Sequence, residues 1–270
     1  ADIEFEIEID NKNTQWVLGS MNQSKTTGEF ILVVHDITQL RQLNSMRRDF
    51  ISNLSHELRT PVSVIRANSE TLLDGALDNK KDAKVFAKAI LHNSERLSLM
   101  VSDLIDLSRI EYGDLKLNIV PIDLDSFIEP FILSMESLTK KKGINLTYKP
   151  AHKTKIKADV QALERILTNL IDNAFKYSPE KSFIEISTKQ DDNNVRVMVS
   201  DNGIGISEVD KGHIFDRFYR AASARASHNK GSGLGLAIVK NLVNSLNGEV
   251  GVSSGSPEGS TFWFTLPSGK

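Results

Sequence analysis

The sequence predicts a multi-domain chain. A helical hairpin, able to close a four-helix bundle in a dimer, is followed by an α+β layer sandwich, with a short β segment in front. Three observations predict it. Two long stretches carry apolar residues at helical spacing in narrow stripes. Beyond Tyr112-Gly113 the pattern becomes short strands mixed with three helices. Before about Thr38, apolar and polar residues alternate with a period of two.

The chain has 270 residues, with 33 Lys+Arg against 35 Asp+Glu, 40% hydrophobic and 25% charged residues. That balance excludes collagen, a coil-only fibre and wholesale disorder. A formal net charge of −2 gives no support for general nucleic-acid binding. The near-neutrality is a cancellation. Ala1–Asp10 carries five acids and no base, Lys140–Lys157 carries seven lysines and no acid, and Arg217–Gly231 carries four Lys/Arg and no acid. With no cysteine there is no disulfide, thiolate metal site or Cys nucleophile, which fits a reducing compartment. No apolar run approaches the ~20 residues of a membrane span. The opening acids do not resemble a signal peptide. These features suggest a cytoplasmic piece, compatible with a membrane-bound parent.

In the first segment Asp2, Glu4, Glu6, Glu8 and Asp10 alternate with Ile3, Phe5, Ile7 and Ile9. Trp16-Val17-Leu18 and Phe30–Val34 are further strands, with turns at Asn11-Lys12-Asn13 and Thr26-Thr27-Gly28. So short a segment buries little core, so it reads as the tail of a larger domain rather than a free-standing β-meander. In the first helix, about Gln39 to Asp74, Leu40, Leu43, Phe50, Leu54, Leu58, Ile65 and Leu72 fall within about 80° of one another. Gly75 and Asp78-Asn79 interrupt it. In the second, about Lys80 to Glu111, Phe86, Ile90, Asn93, Leu97, Met100, Val101 and Leu104 share a face. A lone hairpin leaves such stripes uncovered, and two hairpins about a two-fold axis would cover them, so a homodimer is expected. Further helices are expected at Asp125–Lys141, Asp159–Tyr177 and Leu234–Leu246. Strands are expected at Ile144–Tyr148, Lys153–Lys157, Phe183–Lys189, Val195–Ser200, Glu249–Ser253 and Thr261–Leu266, with a hairpin turn at Asp191–Asn194.

His56 lies at about 160° on the first helical wheel, opposite the apolar stripe, and Thr60 one turn on at about 200°. An isolated histidine there would be an ordinary surface residue. Here Glu57 follows directly. A carboxylate that accepts the Nδ1 proton makes Nε2 a better nucleophile. Pro61 then costs the helix ~3 kcal/mol and crowds the carbonyl of Glu57.

Asn169 and Asn173 are i and i+4 on one helix face, as neutral oxygen ligands suited to Mg²⁺. Lys176 is one turn further and could meet a phosphate. Two polar residues on a solvent face would look the same. Asp201-Asn202-Gly203-Ile204-Gly205 follows a strand. The carboxylate can accept from an exocyclic amine, and the glycines let the backbone approach a ligand. Gly231-Ser232-Gly233-Leu234-Gly235 opens a helix, which is a phosphate-binding device. It is neither a Walker A loop nor a Rossmann fingerprint. Arg217–Gly231, with Arg217, Arg220, Arg225 and Lys230, reads as a surface loop or as a cationic lid over a polyphosphate.

Phe50-Ile51-Ser52-Asn53-Leu54-Ser55-His56-Glu57-Leu58-Arg59-Thr60-Pro61 closely resembles the H box of sensor histidine kinases of two-component systems. The later segments resemble, in order, the N, G1, F (Phe215–Arg220) and G2 boxes. The resemblance, of the PhoR/EnvZ-like class, covers about Ile37 to Leu266. It implies a helical-hairpin dimerisation domain, HisKA, at 39–112. It also implies an α/β sandwich ATP-binding domain of the Hsp90/gyrase/histidine-kinase type at 113–270. His35-Asp36-Ile37-Thr38 looks like the exit of a PAS domain, so 1–38 would be its C-terminal part.

By resemblance, His56 receives the γ-phosphoryl group of ATP. Glu57 is the general base, and Thr60 helps position water for dephosphorylating the partner. Asn173 is the main Mg²⁺ ligand, with Asn169 nearby. Asp201 binds the adenine amine, Tyr177 packs near the base, and Lys176 and Arg220 approach the phosphates. Gly203, Gly205, Tyr219, Gly231, Gly233, Leu234 and Gly235 belong to the same ATP-binding boxes. Ala162 stands where the family often has an arginine. The implied partner is the receiver domain of a response regulator, chosen through Val62, Arg66, Ser69, Val85 and Lys88. The rival readings are an Hsp90-like or MutL-like ATPase, which leaves the His56 motif unexplained, and a dimerisation scaffold with a dead ATP site.

Overall fold

The computed structural model describes residues 3–10, 14–23, 28–111, 113–151, 154–191, 193–221, 232–255 and 259–269. They fall into two compact units, Ala1–Thr60 and Pro61–Lys270. Asn11-Lys12-Asn13, Thr26-Thr27, Tyr112, Lys153, Asp192, Arg225, Lys230 and Gly231 lie outside the described residues.

In the first unit, β1 (Ile3–Asp10), β2 (Thr14–Gln23) and β3 (Phe30–Asp36) form an antiparallel meander in that order. Phe5 pairs with Gly19 across the sheet, and its ring covers the space a Cβ would need. Cover of the sheet is thin: Ile7 and all of β3 are exposed, Phe30 by 64%. The strand leads into α1 (Thr38–Leu73) through a hydrogen-bonded junction. Ile37 N–H donates to the Trp16 carbonyl at 2.8 Å, and Trp16 N–H donates to Thr38 Oγ1 at 2.9 Å. Hydrogen bonds from Thr38, hydroxyl first and backbone second, hold the Asp36 carboxyl below its ordinary range. One turn into the helix, Arg41 pairs with Glu6 and lies over the Trp16 ring at 5.0 Å.

In the second unit, α1 ends before Gly75, whose φ of 119° suits glycine. A 3-10 turn, Ala76–Asp78, leads to α2 (Lys80–Glu111). The expected stripe of α2 is half-buried at Phe86, Ile90, Asn93, Leu97 and Leu104 and buried at Met100. Val101 departs from the expectation and is 48% exposed. It sits at the opposite edge of the arc from Met100, one residue and about 100° away.

The rest is a one-faced sheet with helices packed on it. The sheet runs β5 (Asn145–Lys149), β7 (Phe183–Asp191), β8 (Asn194–Asp201), β10 (Ser260–Pro267), β9 (Val250–Ser254). Only β5–β7 is parallel among these pairs. Ile184, Ile186, Val195, Val197, Val199, Phe262 and Phe264 point into the core. On the other face Arg196 stacks over Trp263 at 4.5 Å. The hairpin β7–β8 closes through an Asp191–Asn194 pair, as expected.

α3 (Leu124–Lys142), α4 (Val160–Tyr177) and α6 (Gly235–Ser245) supply the apolar cover. α4 buries Leu163, Ile166, Leu167, Leu170, Ile171 and Ala174, the one-sided spacing of an amphipathic helix. Asp159 caps its start, accepting from Ala162 N–H at 2.9 Å. Lys142 caps its end, with Nζ donating to the carbonyls of Phe175 and Ser178 at 2.6 and 2.9 Å. Two elements were not expected. β4 (Val120–Asp123) pairs with β6 (Lys155–Ala158) in a separate ribbon. The four-residue α5 (Glu208–Lys211) is capped by Ser207. No helix among the described residues is long and apolar enough to cross a membrane.

Candidate nucleotide site and histidine helix

α4 spends its apolar side on the core, which leaves its other side for chemistry. Asn169 and Asn173 are half-buried one turn apart on that side, with Lys176 and Tyr177 at its end. Asn169 Nδ2 donates to the Arg165 carbonyl at 2.9 Å, so its other amide atom, Oδ1, is left to face the site. A Cβ on Gly235 would lie 2.7 Å from that oxygen, so only glycine leaves the oxygen open.

The end of β8 delivers Asp201, 6% exposed. Its Oδ1 accepts from Gly203 N–H at 2.8 Å. Burial raises its carboxyl above the usual carboxylate range, partly offset by backbone hydrogen bonds from Gly203 and Ser260. A Cβ on Gly203 would lie 2.7 Å from both Asp201 Oδ1 and the Tyr177 carbonyl. The glycine is therefore needed for close approach between two walls of the site.

The segments flanking 222–231 are tied together. Phe218 N–H donates to the Gly233 carbonyl at 2.9 Å. Both residues have positive φ, 60° and 71°, uncommon for a phenylalanine. Tyr219 Oη donates to Asp210 Oδ1 at 2.7 Å. Leu234, fully buried, anchors the start of α6.

These elements enclose a cavity of about 240 Å³. Of the expected ATP-binding residues, Asn169, Asn173, Lys176, Tyr177, Asp201, Gly205, Tyr219, Arg220, Gly233 and Gly235 line it. Gly203 and Leu234 stand behind its wall as packing positions, and Gly231 lies outside the described residues.

The sequence reading missed one wall. Arg96, Leu99, Met100 and Asp103 of α2 line the same cavity, as does Arg165 of α4. Arg165 donates to Asp103 Oδ1 at 2.5 Å and pairs with Asp106 at 3.3 Å. Ser232 of the glycine loop donates to Asp103 Oδ2 at 3.4 Å. Burial pushes the Asp103 carboxyl up; Arg165 is the main opposing influence, and Lys176 also lowers it. No local spacing signals this wall, because its partners are 62 and 129 residues apart.

His56, Glu57 and Thr60 belong to the Ala1–Thr60 unit. His56 and Thr60 are exposed on α1, as the helical wheel predicts, and Glu57 is half-buried. Thr60 Oγ1 donates to the His56 carbonyl at 3.3 Å. Pro61 sits inside the unbroken helix and lacks the N–H that the Glu57 carbonyl would otherwise accept. The imidazole is thus carried on a solvent-facing helical turn.

The chain thus combines a cavity between a sheet-packed helical layer and α2 with a helix bearing an exposed histidine. Residues 158–270 match the family described as Histidine kinase-, DNA gyrase B-, and HSP90-like ATPase. Residues 46–113 match the His Kinase A (phospho-acceptor) domain. The chain therefore carries a stretch that matches each of these two domain families.

Sensor-like histidine kinase SenX3 of Mycobacterium tuberculosis is 35% identical over 237 residues, which is 88% of this chain and 58% of SenX3. The chain thus spans a little over half the length of that relative. Among solved structures, Acinetobacter baumannii histidine kinase AdeS is similar with a TM-score of 0.66 at 27% identity, over 80% of this chain and 98% of that one. Full-length ShkA in complex with AMPPNP gives 0.60 at 27% identity, over 82% of this chain and 46% of that one.

Proposed function

We propose that the chain is the phosphotransfer and catalytic core of a two-component sensor kinase of the PhoR/EnvZ-like class. It phosphorylates His56 from ATP and passes the phosphoryl group to an aspartate of a response regulator. One observation carries the reading. A single chain holds an exposed His56 followed by a half-buried Glu57 on a proline-bearing helical turn and a cavity walled by Asn169, Asn173, Lys176 and Asp201. The SenX3 likeness and the AMPPNP complex of ShkA support a kinase that uses a nucleoside triphosphate.

In this reading Glu57 holds the proton on Nδ1, and His56 Nε2 attacks the γ-phosphorus. The bond to the bridging oxygen breaks, and ADP leaves. Asp201 accepts from the adenine amine, Tyr177 packs near the base, and Lys176 and Arg220 meet the phosphates. Tyr219 and the glycines at 203, 205, 231, 233 and 235, with Leu234, shape the pocket. Asn173, with Asn169 nearby, would hold Mg²⁺, and Asn169, whose Nδ2 is already bonded to the Arg165 carbonyl, lines the same cavity, which fits that use. A bound Mg²⁺ supplies charge neutralisation to the triphosphate. The chemistry of the chain's own residues is then positioning in the main.

We assign residues 39–112 to the dimerisation and phosphotransfer domain and 113–270 to the catalytic domain. Residues 1–38 are assigned to the C-terminal part of a PAS-like sensor domain, a reading that suits the uncovered β3. The exposed Leu40 and Leu43 of the α1 stripe suit a homodimer. Val62, Arg66, Val85 and Lys88 are exposed and Ser69 is half-buried, which suits regulator recognition. Thr60 would assist hydrolysis of the phosphorylated regulator. The parent would be a membrane-anchored bacterial sensor, with this portion in the cytoplasm.

Incubation with γ-labelled ATP and Mg²⁺ tests the reading. Acid-labile, base-stable label is expected, absent in His56→Gln. Label retained in that variant would refute the assignment.

A further inference from the structure

The cavity contains a charge that a polyphosphate site has no evident use for. Asp103 is a carboxylate on its wall, and it comes from α2 rather than from the ATPase fold. It is not a solvated bystander. Its side chain is 15% exposed, against 31% for Arg165. It takes Arg165 at 2.5 Å through one oxygen and Ser232 at 3.4 Å through the other. Arg165 is one helical turn before Asn169 and gives that residue its carbonyl anchor. Ser232 also accepts from Leu234 N–H at 3.3 Å, at the start of α6. Asp103 therefore bridges the helix of the two asparagines and the glycine loop.

The surrounding charges make the consequence electrostatic. Arg96, Arg165, Lys176 and Arg220 line the same cavity. Such cations favour bound phosphates, and each added phosphate group gains from them. A carboxylate fixed among them cancels part of that gain. It opposes the more highly charged ligand more than the less charged one, and partial burial keeps the effect from being screened away. Asp106 also reaches Arg165, at 3.3 Å, but it does not line the cavity.

We propose that Asp103 is a specificity-determining residue of the nucleotide site: with α2 against the cavity it disfavours the triphosphate relative to the diphosphate. The proposal rests on the ATP-site reading given above. Its chemistry is that of a helix-borne anion competing with the terminal phosphate for the same cations. A nucleotide that has lost its γ-phosphate would fit the α2-docked cavity better than one that has kept it.

Calorimetric titration of the full chain with Mg-ADP and with a non-hydrolysable Mg-ATP analogue tests it. In Asp103→Asn the triphosphate-to-diphosphate affinity ratio should rise by about tenfold, the scale of one like-charge contact in a partly buried site. Asp106→Asn loosens the same arginine without changing the cavity wall, and its ratio should stay within about twofold of the parent. An unchanged ratio in Asp103→Asn, with both nucleotides binding, overturns the proposal. So does an equal rise in Asp106→Asn, because loosening α2 would then be enough. If neither nucleotide binds the parent chain, the ATP-site reading itself fails. Should Asp103→Asn melt far below the parent, Asp103→Ser with the same two titrations decides the question.

Discussion

Replacing Gly203 with alanine isolates what the close approach of Asp201 and Tyr177 contributes. The added methyl would lie 2.7 Å from the Tyr177 carbonyl oxygen and 2.7 Å from Asp201 Oδ1. Favourable carbon contacts begin near ~3.5 Å, so one wall must retreat. Relief of such overpacking costs about 1–3 kcal/mol. A cost of ~2 kcal/mol corresponds to a roughly 30-fold loss in an equilibrium constant. The two atoms that must move belong to residues lining the cavity, so the loss should appear mainly in nucleotide affinity.

Gly205 is the control. Its φ of +70° also disfavours alanine, but the nearest atom to a Cβ there is 3.6 Å away. Left-handed backbone alone costs ~1 kcal/mol, about a fivefold loss. Titration of both variants with Mg-ADP should rank the parent above Gly205→Ala and Gly205→Ala above Gly203→Ala. A Gly203→Ala variant that binds as well as Gly205→Ala would refute the steric argument.

Asp201 should give a pH signature. Burial raises its folded-state pKa. Its contribution to stability is therefore greatest below the ordinary carboxylate pKa and is lost as pH rises through the raised one. Asp201→Asn should bind nucleotide more weakly yet resist urea better than the parent near neutral pH. That stability gap should shrink in acid, and a pH-independent gap would count against the sign. Lys142→Met removes the charged cap from α4, where two carbonyls accept from Nζ. A loss of about 1–2 kcal/mol is expected by urea denaturation, and an unchanged midpoint would show the cap to be idle.

Much of this protein is written locally. The period of α1 puts His56 and Thr60 on the solvent side, and both are exposed. The i, i+4 spacing of Asn169 and Asn173 puts their amides on one face of α4, and the cavity gathers both. β4 was missed because Val120–Asp123 is short and contains a proline. It exists through pairing with Lys155–Ala158, far along the chain. Gly203 had a local reason, freedom to approach a ligand, but its φ is not among the positive ones. Its need is the space beside the Tyr177 carbonyl.

By itself the sequence determined the periodic faces and the motifs. Both depend on neighbours within a few residues, where backbone geometry ties spacing to direction. Only the tertiary structure decided that Asp103 of α2 meets Arg165 and Ser232 at the wall of the cavity. That contact joins three segments whose sequence spacing carries no period. It depends on which edge of the α2 stripe packs against the ATPase fold, and packing between distant segments leaves no local mark in either of them.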